Sequence, residues 1–396
     1  MWGERTEGGK EGELRADRMA APREEQGRTM RAVVCRGVRD YVVENVPIPE
    51  PGRDEILVKV LRCGICAGDA KCFEGAARFW GCPDSAQKAY VETPVIPGHE
   101  FVGEIVAFGP PPVKRRSAFR TGHELSVGDR VIAEQVVPCN NCLYCQKNLR
   151  HLCLPHAIFG FKTCVNGAMA EYMIFPANAL VYKIPEKMSV DEAVYIEPLS
   201  CGVHGVERAQ VESDDVVVVS GCGAIGLGMI CYLAISKCPA EIIALDCIDE
   251  RLRLAQLCGA SMVLNPRKDD VVQLVKDRTG GYGCDVYLEA TGSPASVTQG
   301  LKMVRKRGRF VEYSVFKEAV TTDWSEISDT LELDLLGAHC SGNEGYAKAI
   351  ETLSSGKVPI ESIVTHVLPL DKVVDGIHMV NSSSDGSVKV TLDPWL

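Results

Sequence analysis

Four cysteines in one short segment have the spacing of a metal site, C-x2-C-x2-C-x7-C: Cys139, Cys142, Cys145 and Cys153. Four thiolates at this spacing favour a tetrahedral zinc ion. Because the protein would fill every coordination position, the ion would stabilise the loop and take no part in chemistry. Two disulfides among the same cysteines are the alternative interpretation.

A second set of candidate ligands is spread over three segments. Cys66 follows an apolar run that predicts a strand. His99 and Glu100 come directly before another such run, and Glu197 opens a predicted helix. A thiolate, an imidazole and a carboxylate would hold zinc with one coordination position open, as at catalytic zinc sites. Whether Glu100 or Glu197 supplies the carboxylate stays open at this point.

Cys201 and His204 follow Glu197 on the same predicted helix and are alternative ligands. Residues three or four apart on a helix lie on one face, so Cys201 and His204 could both reach the site of Glu197. We interpret them as packing residues of that helix.

A glycine-rich turn indicates a dinucleotide site. The apolar run Val216–Val219 predicts a buried strand and leads into Ser220-Gly-Cys-Gly-Ala-Ile-Gly226, after which a helix is expected. Gly221 would allow the tight turn, Gly223 the close approach of a pyrophosphate, and Gly226 the packing of helix on strand. The free N–H groups of the helix would then face the phosphates.

An acidic residue in the expected place strengthens this interpretation over a glycine turn without a ligand. Asp246 ends the next predicted strand, 20 residues after Gly226. Its carboxylate would accept hydrogen bonds from both ribose hydroxyls and repel a 2′-phosphate, which favours NAD over NADP. Arg251 lies nearby and would soften that preference.

Two patterns of elements must position these residues. Short strands separated by Gly and Pro predict a barrel-like domain in the first part of the chain: Arg31–Cys35, Glu55–Leu61, Val102–Val106 and Asp129–Ala133. After about residue 195, strands alternate with helices, which predicts a doubly wound parallel sheet. Those strands are Val216–Val219, Glu241–Asp246, Met262–Leu264, Asp285–Leu288, Arg309–Tyr313 and Leu333–Leu336. Two segments of the barrel look like insertions, Ala76–Pro94 and Pro110–Leu125.

Composition excludes several classes of protein. The 396 residues are 46 % hydrophobic and 24 % charged, which fits folded domains and excludes wholesale disorder. The 53 acidic against 43 basic side chains argue against nucleic-acid binding. We expect neither a membrane span nor a signal peptide. Most of the 18 cysteines lack a disulfide framework, so we expect a reducing, cytoplasmic location.

Taken together, these motifs resemble the zinc-containing medium-chain alcohol and polyol dehydrogenases over nearly all of residues 30–396. Further shared motifs are Gly167–Tyr172 and Glu289-Ala-Thr-Gly292. The tripeptide Glu197-Pro-Leu resembles the corresponding segment of the sorbitol and threonine dehydrogenases. Several other segments are most similar to those of the erythritol/L-threitol dehydrogenases. These segments are Lys71–Phe73, Phe79–Gly81, Arg130–Gln135, Phe310–Phe316 and Asp323-Trp324.

The resemblance implies an α/β fold with two domains. Residues 30–195 and 341–396 would form a GroES-like β-barrel catalytic domain. Residues 196–340 would form a Rossmann domain, with a doubly wound parallel sheet that binds NAD. The charged residues 1–29 would be a disordered extension. The family also implies a homodimer or homotetramer, for which the apolar segment Leu333–Leu336 is a candidate edge.

The family's site residues carry over to matching positions. Cys66 and His99 would bind the catalytic zinc, Glu100 would ligate it or exchange with water, and Glu197 would hold or orient the zinc water. Asp69 would accept a hydrogen bond from the His99 ring. The resemblance assigns cofactor binding to a further set: Gly221, Gly223, Ala224, Ile225, Gly226, Asp246, Arg251 and Thr291. Each subunit would carry one catalytic and one structural zinc.

The chain departs from the family at the proton relay. The family usually has Ser or Thr two residues after the catalytic cysteine, and often a His three residues further along. Here these positions hold Gly68 and Lys71. Glycine cannot pass a proton, so the relay would run through ordered water, Glu197 or Lys71.

The expected reaction is the oxidation of a secondary hydroxyl of a small polyol to a ketose. Zinc would act as a Lewis acid on the hydroxyl, and the nicotinamide would accept the hydride. L-threitol and erythritol are the expected substrates, with sorbitol, xylitol or threonine as alternatives. A zinc-free enone-reducing relative and a catalytically silent NAD-binding protein are the competing hypotheses. Phe79 and Trp80 are expected to wall the substrate pocket.

Overall fold

The computed structural model describes residues 28–82, 88–110, 124–382 and 386–396. The predicted disordered extension lies outside the described residues except for its last two positions. Most of the second predicted insertion, Pro110–Leu125, also lies outside them.

The first part of the chain is rich in strands, as the short apolar runs predict. Its strands are β1 (Thr29–Gly37), β2 (Asp40–Pro47), β3 (Ile56–Gly64), β4 (Glu100–Phe108), β5 (Arg130–Ala133), β6 (Val136–Val137), β7 (Ala157–Ile158), β8 (Tyr172–Phe175) and β9 (Val181–Lys183). Its helices are short: α1 (Ala67–Phe73), α2 (Ala77–Trp80), α3 (Leu143–Gln146) and α4 (Val190–Val194). A 3-10 turn covers Arg150–Leu152.

The middle of the chain alternates between strands and helices. The strands are β10 (Val216–Ser220), β11 (Glu241–Leu245), β12 (Met262–Leu264), β13 (Cys284–Glu289), β14 (Val304–Glu312) and β15 (Asp334–Gly337). The helices are α5 (Ile196–Ala209), α6 (Ala224–Tyr232), α7 (Asp249–Leu257), α8 (Val271–Arg278), α9 (Pro294–Met303) and α10 (Gly345–Ser354), with π turns at Leu233–Lys237 and Glu326–Thr330.

These six strands form one parallel sheet in the order β12-β11-β10-β13-β14-β15. This is the doubly wound order in which the chain starts at the centre and winds outward in both directions. Strand β10 lies at that centre, and Val217, Val218 and Val219 are fully buried because helices cover both faces. The predicted fold class is therefore confirmed for this part of the chain.

The tail of the chain returns to the first domain. It contains α11 (Ile360–Ile363), β16 (Val364–Pro369), a 3-10 turn at Leu370–Lys372, α12 (Val373–Ser382) and β17 (Lys389–Asp393). A second sheet runs β16-β17-β3-β4-β5-β9, with β8 also paired to β3. Because β17 lies between β16 and β3, the C-terminal strands extend the sheet that contains β3, β4, β5, β8 and β9, whereas β1 and β2 pair in a separate two-stranded sheet.

Helix α5 joins the two sheets. Most of its residues from Ile196 to Ala209 are buried, and α6 and α10 pack against it. One continuous apolar core extends from Val58 in β3 to Val219 in β10. The domain boundaries at 195/196 and 340/341 stay a prediction. No helix in the described part of the chain is long and apolar enough to cross a bilayer.

Candidate active site

Cys66 lies where β3 ends and α1 begins. Its backbone is extended, and its Sγ accepts a hydrogen bond from the N–H of Gly68 at 3.3 Å. Asp69 completes a capping box, because its Oδ2 accepts from the N–H of Cys66 at 3.0 Å. The helix cap therefore fixes the direction of the thiol.

His99 and Glu100 stand at the start of β4, beside Cys66. Gly98 has a φ of +101°, and a Cβ there would overlap Cys63 and Met169, so only glycine fits this turn. One ligand atom each from Cys66, His99 and Glu100 lies within 4.8 Å of the other two. A sulfur, a nitrogen and a carboxylate oxygen at such spacing suit zinc.

The His99 ring is buried beside the carboxylate of Asp69. Its Nδ1 lies 3.5 Å from Oδ1 of Asp69 and has no hydrogen-bond partner among the described residues. Burial alone would lower the pKa of His99, but the nearby Asp69 and Cys66 outweigh it and raise the pKa well above its ordinary value. A site that favours a proton on this ring also favours a metal cation, which supports the fit of zinc here.

Glu100 is held by a lysine that the motif analysis did not identify. Nζ of Lys389, in β17, lies 2.5 Å from Oε2 of Glu100 and donates to the carbonyl of Ile65 at 3.2 Å. Both side chains of the ion pair are 3 % exposed. No sequence motif marks this lysine, which is the first residue of the last strand, Lys389–Asp393.

Glu197 lies in the same cavity but outside the group of three. Its Oε1 accepts from the thiol of Cys201 at 3.5 Å. Burial, and next the charge of Glu100, raise the pKa of Glu197 to about 7. Of the two carboxylates left open by the sequence, Glu100 is the one that lies with Cys66 and His99.

The two alternative ligands lie apart from that group. Cys201 lines the cavity and contacts Glu197, whereas the ring of His204 packs edge-on against His151 at 5.0 Å. A Cβ at Gly342 would overlap the His204 ring, so this ring fills a tight space. Their interpretation as packing residues stays a prediction that this arrangement supports.

The four-cysteine loop brings its sulfurs together. Cys139, Cys142, Cys145 and Cys153 each offer a sulfur within 4.8 Å of the other three. Backbone N–H groups point at them: that of Leu154 donates to Cys142 at 3.4 Å and lowers the pKa of this thiol to about 6. Four neighbouring sulfurs, of which that of Cys142 has a lowered pKa, suit a structural zinc ion. All 18 cysteines are free thiols, so the alternative of disulfides finds no support in the structure.

The glycine turn between β10 and α6 has an open approach. Gly221 has a φ of +97°, and a Cβ at Gly226 would overlap the carbonyl of Gly221. In contrast, apart from its two chain neighbours, no atom of the described residues lies within 4 Å of the position that a Cβ at Gly223 would take. Ala224 and Ile225 follow as the first turn of α6. A phosphate could therefore approach the backbone at Gly223, where the helix begins.

Asp246 is held at the carboxyl end of β11. Its Oδ2 accepts from the N–H of Cys222 at 2.8 Å and its Oδ1 from the N–H of Ile248 at 2.9 Å. Arg251 lies on α7, which follows directly. The carboxylate is thus fixed next to the glycine turn, where a ribose would lie.

One cavity of about 440 Å³ joins the metal ligands to the cofactor residues. Cys66, His99 and Glu197 line one part of it, and Ile225 and Thr291 line another. Phe79 also lines it and stacks on Phe161 at 5.4 Å. Trp80 does not, because its indole N–H turns away to the carbonyl of Cys72 at 2.7 Å. Of the two predicted wall residues, only Phe79 therefore lies in the wall.

Several residues that line this cavity are not among the site residues predicted from the sequence: Tyr90, Gln135, His156, Tyr313, His339 and Cys340. A signal was present for His339 and Cys340, which follow β15 at the carboxyl edge of the parallel sheet, where ligands of such sheets bind. No comparable pattern marks Tyr90 or His156.

Two family models match the chain. Residues 52–186 match the alcohol dehydrogenase GroES-like domain, and residues 224–355 match the zinc-binding dehydrogenase domain. An erythritol/L-threitol dehydrogenase from Mycolicibacterium smegmatis is 48 % identical over 92 % of this chain and 98 % of its own. A sorbitol dehydrogenase from Bacillus subtilis is 30 % identical over 92 % of this chain and 97 % of its own.

Solved structures agree with the fold. A zinc-binding dehydrogenase from Sinorhizobium meliloti, bound to NADP, superposes with a TM-score of 0.81 at 28 % identity and covers 93 % of this chain and 100 % of its own. An alcohol dehydrogenase from Escherichia coli, complexed with NADH, gives a TM-score of 0.79 at 27 % identity over the same shares of the two chains.

Replacing Lys389 tests the buried ion pair. In Lys389→Met, the carboxylate of Glu100 would stay buried without its partner, so we expect the free energy of unfolding to fall by about 3–5 kcal/mol. The double variant Lys389→Met/Glu100→Gln should recover much of this loss. Chemical denaturation measures both.

The matched control is Lys372→Met, because Lys372 pairs with Asp375 where both side chains are 59 % exposed. This change should cost less than about 1 kcal/mol. An equally small loss in Lys389→Met would contradict the role given to the buried pair.

Proposed function

This chain belongs to the zinc-dependent alcohol and polyol dehydrogenases, and we propose that within this family it oxidises a secondary hydroxyl of a C4 polyol, L-threitol or erythritol, to a ketose with NAD⁺. The observation that carries the proposal is the single cavity lined both by Cys66, His99 and Glu100 and by Ile225 and Thr291. The 48 % identity to an erythritol/L-threitol dehydrogenase supports the choice of polyol.

When bound, zinc would supply a Lewis acid for the substrate hydroxyl, and NAD⁺ would supply the hydride acceptor. Cys66, His99 and Glu100 would hold the metal, and Lys389 keeps the Glu100 carboxylate in place. Glu197 offers a buried carboxyl for a second hydroxyl of the substrate, which favours polyols over simple alcohols. Phe79 and Phe161 form an apolar wall that excludes water.

Lys71 is the residue that we propose for proton exit. It lines the cavity, and its Nζ donates to the carbonyl of Val315 at 2.7 Å. Burial lowers the pKa of this amine below its ordinary value, which brings its neutral form, a proton acceptor, closer to neutral pH. Gly68 has no side chain to compete for this role.

We also propose NAD as the preferred cofactor, because Asp246 is fixed beside the glycine turn. A cytoplasmic location is supported by the use of cysteine as free thiols.

The first assay measures NADH formation from L-threitol and erythritol with zinc-replete protein. We expect turnover that a chelator abolishes and added Zn²⁺ restores, and no turnover in Cys66→Ser. Turnover with sorbitol, xylitol or threonine instead would replace the proposed substrate. Failure of the whole panel, with NADH binding intact, would favour a silent NAD-binding protein.

Lys71→Met tests the proton route. A Lys with a lowered pKa is protonated and inactive as a base at low pH, and becomes active as pH rises through that pKa. We therefore expect the rise of kcat with pH in the wild type to disappear in Lys71→Met, with kcat about 10²-fold lower at the wild-type optimum.

Gly68→Ser is the companion variant, since among the described residues a Cβ at this position would meet only Cys66 Sγ at 3.5 Å and Phe79 at 3.9 Å. The added hydroxyl should restore part of kcat in the Lys71→Met background. An unchanged pH profile in Lys71→Met would rule out Lys71 as the base.

Replacing Asp246 tests the choice of cofactor. Asp246→Asn keeps the size of the side chain but loses the negative charge, so we expect the preference for NAD⁺ over NADP⁺ in kcat/KM to fall by about tenfold or more. In Asp246→Ala the KM for NAD⁺ should also rise. If Asp246→Asn keeps the wild-type preference, another residue selects the cofactor.

We propose a homodimer or homotetramer formed along the edge of the parallel sheet. Strand β15 is the last strand of that sheet, and Leu335 is 43 % exposed there. An apolar side chain on an edge strand favours pairing with a second copy. Light scattering should show an oligomer that Leu335→Lys weakens; a monomeric wild type at micromolar concentration would contradict this.

A further inference from the structure

Three metal-binding side chains meet in the cavity outside the group around Cys66. They are His156, His339 and Cys340, and one ligand atom of each lies within 4.8 Å of the other two. Nε2 of His156 is 2.8 Å from Nε2 of His339, which is 3.2 Å from Sγ of Cys340. The same proximity of donor atoms characterises the four-cysteine loop and the Cys66 group.

Hydrogen bonding does not account fully for this cluster. Nε2 of His339 faces both His156 and Cys340, but a neutral ring nitrogen carries either one proton or one lone pair. Nε2 of His339 can therefore make one ordinary hydrogen bond, either to His156 or to Cys340. Its contact with the other residue is then close but has no hydrogen bond. A cation between three lone pairs would satisfy all of them.

Tyr90 fixes the tautomer of the His156 ring through two contacts with this residue. The hydroxyl of Tyr90 donates to the carbonyl of His156 at 2.7 Å, so its oxygen is left to accept from Nδ1 of the same ring at 3.3 Å. With the proton on Nδ1, the lone pair of His156 lies on Nε2, which faces the cluster. A partner that fixes the tautomer in this way is typical of metal-binding histidines.

We propose that His156, His339 and Cys340 form a third metal site, which takes Zn²⁺ in exchange with solvent and leaves one coordination position open to the cavity. Two imidazoles and one thiolate are a donor set that zinc prefers, and three protein ligands leave room for water or a substrate oxygen.

The charges around the cluster explain why the site would be weaker than the four-cysteine loop. Arg78 lines the same cavity, and its positive charge acts on all three side chains and disfavours a cation, whereas the negative charge of Glu197, which acts on Cys340, favours one. Burial raises the pKa of the Cys340 thiol, so a metal must displace its proton on binding. Burial, above all, lowers the pKa values of both histidines.

The position of the cluster suggests what the ion would contact. A row of packed rings lies between the cluster and the predicted catalytic zinc site. The ring centroid of Phe161 is 5.8 Å from that of Tyr90 and 5.4 Å from that of His99. An ion at this cluster would therefore stand in the same cavity as the reacting hydroxyl. The inference does not rest on the proposed polyol oxidation, since metal binding is counted without turnover.

The experiment counts zinc bound to tag-free protein that already carries its tight zinc ions. Zn²⁺ is titrated against a chromogenic indicator at pH 7, and Co²⁺ is then used as a probe whose thiolate charge-transfer band reports a Cys ligand. We expect one additional exchangeable equivalent in the wild type. Cys340→Ser should lose the equivalent and the additional cobalt–thiolate band, and His339→Gln should lose the equivalent.

The matched control is Cys238→Ser, which removes an exposed thiol outside the cluster and should keep the additional equivalent. Tyr90→Phe keeps the three ligands but loses the hydroxyl that orients His156, and should weaken binding several-fold. Melting curves exclude variants that fail to fold. The proposal is overturned if the wild type binds no additional ion, or if folded Cys340→Ser and His339→Gln both still bind it.

Discussion

The antiparallel pairing of β3 with β4 is the contact on which the candidate active site depends. In this register Gly64 lies opposite Glu100, and Cys63 lies opposite Phe101. The end of one strand and the start of the next therefore meet, which brings Cys66 beside His99 although 33 residues separate them in the chain. A Cβ at Gly64 would overlap the Glu100 carboxylate, so this crossing also requires a glycine.

The same crossing makes the C-terminal strand part of the site. Strand β17 pairs with β3 at Gly64 and Cys63, which places Lys389 against Glu100. A carboxylate buried to this degree is costly unless a positive charge compensates it. Lys389 supplies such a charge, and a metal ion bound to Glu100 would supply another. Changes at Glu100 would therefore affect both the free energy of unfolding and metal binding.

The cavity between the two sheets combines groups of different origin. The barrel supplies the metal ligands and the aromatic wall, and the parallel sheet supplies Thr291, His339 and Cys340 from the carboxyl ends of its strands. Loops at this edge are where open parallel sheets bind ligands. The third cluster arises at this junction because His156 comes from the barrel and the other two residues come from the sheet.

The local features of the protein could be predicted from its sequence. Periodic apolar runs predicted the strands, and fixed spacings identified the four-cysteine loop and the glycine turn, because each of these depends on residues close together in the chain. The folded chain shows which distant residues meet: Glu100 rather than Glu197 beside Cys66 and His99, Lys389 against Glu100, and His156 against His339. Such contacts follow from strand register and from the packing of one domain on the other, and spacing along the chain carries no signal for either.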